Sequence, residues 1–243
     1  MDEDRMTEAA AQFTTGEKIK AWSVHAFTAT GAFFGLLGLF AAIDQDWRMV
    51  FIWMIIATFV DAIDGFFARM ANVKKVIPYF DGALLDNIID YFTYVLLPAA
   101  IVYLHPSLVP GRNIAILAVA IMSMTSGYQF CRTDAKTEDH TFLGFPSYWN
   151  VVVMYLILLL PNPWVSFGIL VLCGILVFIP IKYAYPSRML RFQTPTLTLA
   201  YVWGIILAVA IFMFPNHPVW LVNVSLLYAV YYVGISLYMM FSE

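Results

Sequence analysis

The sequence has few charged residues and few cysteines, and each shortage excludes some classes of protein. Charged side chains make up 12% of the 243 residues and apolar side chains 62%, whereas a soluble domain has about 25% charged residues. So few charges cannot cover a water-facing surface, and we expect lipid to be the main solvent. Cys131 and Cys173 provide neither a disulfide framework nor the CxxC pairs of a zinc site. A net charge of −3 gives no electrostatic reason to expect a nucleic-acid partner.

Long apolar runs fill most of the chain. A membrane-spanning helix needs about 20 apolar residues, so the sequence has room for about eight spans and for no separate soluble domain. We place the runs at residues 22–43, 48–70, 81–104, 113–131, 147–161, 164–183, 196–214 and 218–240. The predicted fold is an all-α integral membrane protein with about eight transmembrane helices, in which residues 21–243 form a single domain.

The first 20 residues are polar and lack the apolar stretch of a secretory signal. Met6, Ala9, Ala10 and Phe13 are spaced as on one face of a helix. This spacing predicts a short amphipathic helix at the membrane surface, with a frayed polar tail as the alternative. We expect residues 1–20 to form a cytoplasmic N-terminal segment.

Cationic residues are distributed unevenly between the two sides of the predicted bundle. With eight spans both termini lie on one side, and of the 13 lysine and arginine residues only Arg48 and Arg112 fall on the other. The positive-inside rule then predicts cytoplasmic termini. The loops on this side are longer and more polar, so we expect the chemistry there.

Four carboxylates lie within the second and third predicted spans, where ionisable residues are energetically expensive and usually functional. Asp61 and Asp64 are three residues apart on one span, and Asp86 and Asp90 are four apart on the next, so each pair shares a helix face. The short connection predicts that the two helices are antiparallel neighbours. All four carboxylates then converge near the cytoplasmic end, where they need cations between them. Solvated aspartates at helix ends are the alternative interpretation.

An oxygen-only cluster favours a hard cation such as Mg²⁺ or Mn²⁺. Four carboxylates can hold two metal ions, and such sites commonly perform phosphoryl transfer. Gly65, Ala68 and Gly82 lie within one helical turn of these acids. Because glycine destabilises a helix, its use here indicates that something approaches the backbone closely. Arg69 offers a planar fork suited to phosphate.

These residues belong to one extended motif. Residues 61–69 read DAIDGFFAR, and after twelve residues 82–90 read GALLDNIID. The pattern resembles the signature D-x-x-D-G-x-x-A-R, a gap, then G-x-x-x-D-x-x-x-D, of the CDP-alcohol phosphatidyltransferase family. The gap is longer than in most of the family and, with the stretches 24–31 and 144–150, resembles the bacterial phosphatidylcholine synthase branch. The motif covers residues 61–90, and chain length and span number extend the resemblance over the whole chain.

The resemblance implies transfer of the phosphatidyl group of CDP-diacylglycerol to an alcohol, which is choline in that branch, with release of CMP. It implies that Asp61, Asp64 and Asp86 bind two divalent metal ions, Mn or Mg, and that Asp90 is the general base and also touches a metal. The CDP-binding residues implied are Asp61, Gly65, Ala68, Arg69 and Gly82. The family relationship also implies a homodimer in the bacterial inner membrane, surrounded by lipids and with its active site on the cytoplasmic side.

The residues that bind the acceptor alcohol lie outside the motif and have to be sought by their chemistry. A quaternary ammonium is commonly bound by aromatic faces, but aromatic residues make up 17% of the chain and most belong to lipid-facing belts. The candidates for choline binding are Tyr148, Trp149, Tyr183, Tyr185 and His25. A lone histidine is more often a packing residue. The candidates for holding lipid phosphate, or else simple topology determinants, are Arg132, Lys136, Arg188 and Arg191.

Three other functions share parts of this pattern. A member of the same family could use serine, inositol or glycerol phosphate as the acceptor. A cation or proton transporter could use the four aspartates, although such transporters tend to show inverted repeats and broken helix pairs, which we do not detect in the sequence. A non-catalytic membrane scaffold would have no need for four buried acids.

Overall fold

A computed structural model describes residues 12–135, 141–186, 189 and 191–242. The elements in chain order are helices α1 (Thr15–Ile43), α2 (Trp47–Met70), α3 (Val73–Val76), α4 (Gly82–Leu104) and α5 (Arg112–Cys131), strand β1 (Thr141–Leu143), helices α6 (Trp149–Leu159) and α7 (Pro163–Leu176), strand β2 (Lys182–Ala184), and helices α8 (Gln193–Phe212) and α9 (Val219–Ser242).

Six helices of the described chain are long and apolar enough to cross a membrane: α1, α2, α4, α5, α8 and α9. The prediction of a helical, multi-pass membrane protein is therefore confirmed. The fifth and sixth predicted spans correspond to α6 and α7, which are apolar but have only 11 and 14 residues. At 1.5 Å per residue they are about 16 and 21 Å long, less than the ~30 Å of a bilayer core.

The sixth predicted span, 164–183, is too long because the chain leaves the helix at Leu176. Pro180 lacks a backbone N–H and disfavours a helical conformation in the residue before it. The backbone beyond the helix bonds instead to the segment before α6, where the Gly144 N–H donates to the Ile181 carbonyl at 2.9 Å. Strands β1 and β2 then pair antiparallel, an element that the apolar pattern did not predict.

The first helix begins at Thr15, earlier than the predicted residue 22. Thr14 and Glu17 form a capping box, in which the Thr14 N–H donates to Glu17 Oε2 at 2.8 Å and the Glu17 N–H donates to Thr14 Oγ1 at 3.3 Å. The end of the predicted N-terminal segment is thus continuous with α1. Residues 1–11, which include Met6, Ala9 and Ala10, lie outside the described residues.

Glycines on α1 allow α4 to pack very closely. A Cβ at Gly31 would lie 2.9 Å from Cγ2 of Ile89, and one at Gly35 would lie 2.6 Å from Cε1 of Phe92. Such contacts require the small residues typical of membrane helix interfaces. Helices α1, α2 and α4 therefore form the packed unit that carries the motif.

Helix α4 changes its winding just after the motif, because residues Tyr91–Leu96 are π-helical. A π turn inserts extra backbone into an α-helix and is frequent at functional sites. It directly follows Asp90 and carries Tyr94. The side chains after Asp90 therefore do not follow the spacing that a continuous α-helix predicts.

The twelve residues between the two halves of the motif are folded. Val73, Val76 and Ile77 are buried in a small apolar cluster with Ala21 and Val24 of α1. Asp81 begins α4 by accepting the Leu84 N–H at 2.9 Å, which is an N-cap role. The longer connection is thus a packed wall beside the motif.

Candidate active site

Three carboxylates of the motif converge. One carboxylate oxygen from each of Asp61, Asp86 and Asp90 lies within 4.8 Å of the others, and all three side chains are half-buried. Helix α2 contributes the first and α4 the other two, one turn apart. We call them the acidic triad. The donors are all oxygen, so the triad fits a hard divalent cation.

Tyr94 extends the triad and was missed by the sequence analysis. Its hydroxyl donates a hydrogen bond to Oδ2 of Asp61 at 2.7 Å. An outer hydrogen bond of this kind orients a carboxylate ligand. Tyr94 lies four residues after Asp90, a spacing that could have suggested it, although the π turn alters where its side chain falls.

Asp64 stands apart from the triad. It is buried and, together with Thr28, lines a cavity of about 980 Å³ that we call the first cavity. Among the predicted CDP-binding residues Asp61 does not line this cavity; the four that do are Gly65, Ala68, Arg69 and Gly82.

The two motif glycines have different neighbours. A Cβ at Gly65 would meet only Nη1 of Arg69 at 3.4 Å, so its backbone faces open space. A Cβ at Gly82 would lie 2.5 Å from Cε1 of His25. The close approach expected at Gly82 is therefore made by a histidine ring of the protein itself.

His25 lies on the first cavity, away from the position expected of a choline-binding residue. Its ring packs against Phe80 with centroids 4.4 Å apart and against Trp22 at 5.7 Å. Within the described part of the chain its buried Nε2 has no hydrogen-bond partner. The ring thus forms a wall of the cavity and carries a polar atom without a protein partner.

A second cavity has a volume of about 340 Å³. All three triad residues line it, and Asp86 also lines the first cavity. Asp86 is therefore the point where the two cavities meet. Two predicted choline residues, Tyr148 and Tyr185, also line the second cavity.

Aromatic rings cover much of the second cavity. Phe142 stacks on Tyr185 with centroids 4.7 Å apart, and it meets Tyr148 edge-on at 6.4 Å. Tyr148 in turn lies 6.2 Å from Tyr94. Two of these rings, Phe142 and Tyr94, were not among the sequence candidates.

The turn formed by residues 144–150, at the start of α6, explains how Tyr148 reaches this cavity. Gly144 has φ +80°, and a Cβ there would lie 2.3 Å from the Val177 carbonyl oxygen, so only glycine fits. The Asn150 amide donates to Oγ1 of Thr58 at 3.2 Å, which ties the start of α6 to α2. The stretch 144–150 is thus a turn, fixed by these contacts at Gly144 and Asn150, that presents Tyr148 to the cavity.

Arg132 lines the second cavity, but Asp134 already pairs with it. Nε and Nη2 of Arg132 donate to the two carboxylate oxygens of Asp134 at 2.7 and 2.8 Å. These bonds hold the pKa of the Asp134 carboxyl below its ordinary value. The guanidinium is thus neutralised locally, which does not favour the predicted contact with lipid phosphate.

Two further choline candidates line neither cavity. Trp149 is fully buried, and its Nε1 donates to Oγ of Ser126 at 2.6 Å. Tyr183 is buried in β2 and stacks on Tyr232 with centroids 6.3 Å apart. Both are packing residues, because one begins a buried helix and the other is fixed by strand pairing. Tyr185 lies just beyond the end of β2 and reaches the cavity.

The remaining cationic candidates lie elsewhere. Arg191 packs over the rings of Phe192 and Tyr238, at 4.9 and 5.7 Å from their centroids, and lines neither cavity. Lys136 and Arg188 fall outside the described residues.

Three known proteins that are similar to this chain carry one functional name. No family model matches the chain. A phosphatidylcholine synthase of Legionella pneumophila is 44% identical over 177 residues, which cover 73% of this chain and 69% of that protein. One of Mesorhizobium japonicum is 42% identical over 189 residues, or 78% and 70%. One of Brucella melitensis is 38% identical over 227 residues, or 92% and 81%.

Similarity of this extent covers most of both chains in each pair. It includes proteins of several bacterial genera that carry one functional name. The chain belongs to the phosphatidylcholine synthase family.

Proposed function

We propose that this protein transfers the phosphatidyl group of CDP-diacylglycerol to choline, producing phosphatidylcholine and CMP. The observation that carries the proposal is the position of Asp86, which lines both cavities and belongs to the acidic triad of the second. Two substrates bound in these two cavities can meet at Asp86. The family relationship supports both substrates.

The first cavity is the site proposed for the CDP part of the lipid. Its volume of about 980 Å³ is at the upper end of ordinary ligand pockets. Gly65 leaves the backbone accessible to a phosphate, and Arg69 beside it supplies a planar cationic fork. Ala68 and Gly82 line the same space. Asp61 lines the second cavity, so it would reach the nucleotide from the triad.

A diphosphate beside four carboxylates requires cations, and the chemistry of the donor atoms fits Mg²⁺ or Mn²⁺. We propose that Asp61, Asp64, Asp86 and Asp90 hold two such ions. When bound, divalent ions polarise the phosphoryl group and stabilise charge on the departing CMP oxygen. Tyr94 keeps the Asp61 carboxylate oriented for this task through its 2.7 Å hydrogen bond.

Asp90 is the proposed general base. It lines the second cavity, on the acceptor side of the triad, whereas Asp64 lines only the first. The hydroxyl of choline must lose its proton as its oxygen attacks phosphorus, and a carboxylate within hydrogen-bond reach can accept it. The P–O bond to CMP breaks as the new P–O bond forms, and CMP leaves into the first cavity.

The second cavity suits a quaternary ammonium. Three carboxylates and five aromatic rings line it, and its one cation in the described chain, Arg132, is already paired. Ring faces bind a methylated cation without hydrogen bonds, and carboxylates add attraction at longer range. Glycerol phosphate would bring negative charge to these acids, so we propose choline over that acceptor.

The arrangement also supports the proposed orientation. The triad, the segment with Lys74 and Lys75, and Arg132 at the end of α5 lie at the same end of the bundle. Cations gather on the cytoplasmic side of membrane proteins. We propose that eight helices are embedded in the inner membrane, that both termini and the active site face the cytoplasm, and that the protein is a homodimer.

An acceptor panel tests the function directly. Purified protein is incubated with CDP-diacylglycerol, Mn²⁺ or Mg²⁺ and one alcohol at a time, and CMP release is measured. We expect rapid release with choline, little with serine, inositol or glycerol phosphate, and none in EDTA. Faster release with another alcohol would overturn the choline assignment, and full activity in EDTA would overturn the metal assignment.

A further inference from the structure

Strand β1 carries Phe142 on one wall of the second cavity, yet the strand is only three residues long. Its strand partner in the described chain is β2, also three residues long. A two-stranded ribbon is marginally stable by itself. The position of β1 must therefore be set by contacts outside the ribbon.

One carbonyl supplies such contacts. The Leu143 carbonyl oxygen accepts a hydrogen bond from Nε2 of Gln129 at 3.0 Å and another from Nη1 of Arg132 at 3.3 Å. Gln129 is buried, so this bond is shielded from water. The bidentate pair with Asp134 fixes the plane of the Arg132 guanidinium. We call this arrangement the Leu143 clamp.

The clamp acts on the residue that lines the cavity. Phe142 immediately precedes Leu143, and its ring stacks on Tyr185 and meets the edge of Tyr148. A shift of the Leu143 carbonyl would move the Phe142 backbone with it. These ring contacts depend on geometry, since aromatic pairs favour offset or edge-on arrangements.

The rings form a continuous path to the reacting groups. From Phe142 the path passes to Tyr148, then to Tyr94, which is hydrogen-bonded to Asp61 of the acidic triad. A small cation held among these rings would lie beside the carboxylates. The hydroxyl of the same molecule could then reach the triad.

We infer that Phe142 is an acceptor-binding residue, and that Gln129 and Arg132 are positioning residues that set its ring through the carbonyl of Leu143. The inference rests on the proposed function, because it assigns the second cavity to a quaternary ammonium acceptor. Such a cation is enclosed by several faces at once, so a displaced ring weakens binding even when every ring is present.

The first test replaces the ring. Phe142→Leu should raise the KM for choline roughly 2- to 30-fold, while the KM for CDP-diacylglycerol and kcat change little. Phe142→Tyr keeps the ring and should stay close to wild type. Phe33→Leu is the matched control, because Phe33 is exposed on α1 and lines neither cavity.

The second test removes the clamp and keeps the ring. Gln129→Met has similar length but no donor, and it should produce a smaller rise of the same selective kind. Arg132→Lys should do likewise, because one ammonium cannot bond Leu143 and both oxygens of Asp134 as the guanidinium does. Gln129→Met combined with Phe142→Leu should have no more effect than Phe142→Leu alone, because Gln129 acts through Phe142.

The inhibition constant of tetramethylammonium against choline gives a second readout, which does not depend on the folded fraction of a variant. In the variants of Phe142, Gln129 and Arg132 that raise the choline KM, this inhibition constant should rise by a similar factor. If the wild-type protein uses choline but Phe142→Leu changes neither the choline KM nor the tetramethylammonium inhibition constant, this inference is overturned and the proposed function stands. Wild-type protein that does not use choline would overturn both. Additive effects in the double variant would refute the positioning role.

Discussion

The hydroxyl of Tyr94 lies 2.7 Å from Oδ2 of Asp61 and joins the acidic triad to the aromatic wall of the second cavity. The pair connects α4 to α2 across the site. Tyr94 can therefore affect both the orientation of a carboxylate that we propose binds metal and the acceptor that we propose binds in the second cavity.

Tyr94→Phe separates these two effects, since it removes the hydroxyl and keeps the ring. We expect the affinity for Mn²⁺ or the activity to fall about 10- to 100-fold, the typical effect of losing an outer hydrogen bond to a ligand. The KM for choline should change little. Electron paramagnetic resonance of free Mn²⁺ measures binding independently of turnover. Tyr201→Phe, at an exposed position of α8, should behave as wild type.

Replacing Asp61, Asp64 or Asp86 by Asn keeps shape and removes charge, so metal binding and activity should both collapse. Mn²⁺ titration and CMP release check this. Asp44→Asn is the control, because Asp44 is exposed at the end of α1. Normal metal binding in the Asp64 variant would mean that the ions are held by the triad alone.

Asp90→Asn should differ from these variants if Asp90 is the base. Turnover should fall about 10²- to 10⁴-fold, with much smaller changes in CDP-diacylglycerol binding. Equilibrium binding and single-turnover kinetics separate the two quantities. An equal loss of both would make Asp90 mainly a metal ligand.

Gly82→Ala should disturb the first cavity because the added Cβ would collide with the His25 ring. We expect a higher KM for CDP-diacylglycerol and lower thermal stability. His25→Ala removes the obstructing ring, so the double variant should recover part of both losses. No recovery would show that Gly82 makes room for something other than His25.

The four aromatic candidates should divide into two groups. Tyr148→Leu and Tyr185→Leu should raise the choline KM selectively, because both residues line the second cavity. Trp149→Leu and Tyr183→Leu should lower thermal stability without a selective effect on choline, because both side chains are buried in packing contacts. A selective choline effect at Trp149 would contradict this division.

The sequence was sufficient where the signal was local and periodic. Apolar runs located every long helix of the described chain. Residue spacing predicted that four carboxylates converge, and three of them, Asp61, Asp86 and Asp90, do so in the structure, whereas Asp64 is not part of that group. The sequence was not sufficient to predict site residues on irregular backbone. Tyr94 lies on a π turn, and Phe142 lies on a short strand whose pairing with β2 leaves no apolar pattern.

Aromatic composition alone could not separate cavity residues from packing residues. Trp149 and Tyr148 are adjacent, yet one is bonded inside the core and the other lines the cavity. The difference arises from the turn at 144–150, which depends on Gly144 meeting a carbonyl from a distant segment. Contacts of this kind are visible only in three dimensions.

Formation of the lipid product tests the proposed function most directly. Purified protein in detergent with CDP-diacylglycerol, choline and Mn²⁺ should yield phosphatidylcholine and CMP in equal amounts, measured by mass spectrometry and chromatography. The Asp86→Asn variant should yield neither, because Asp86 lies where the two cavities meet. CMP formed without phosphatidylcholine, or normal product formation by Asp86→Asn, would contradict the account.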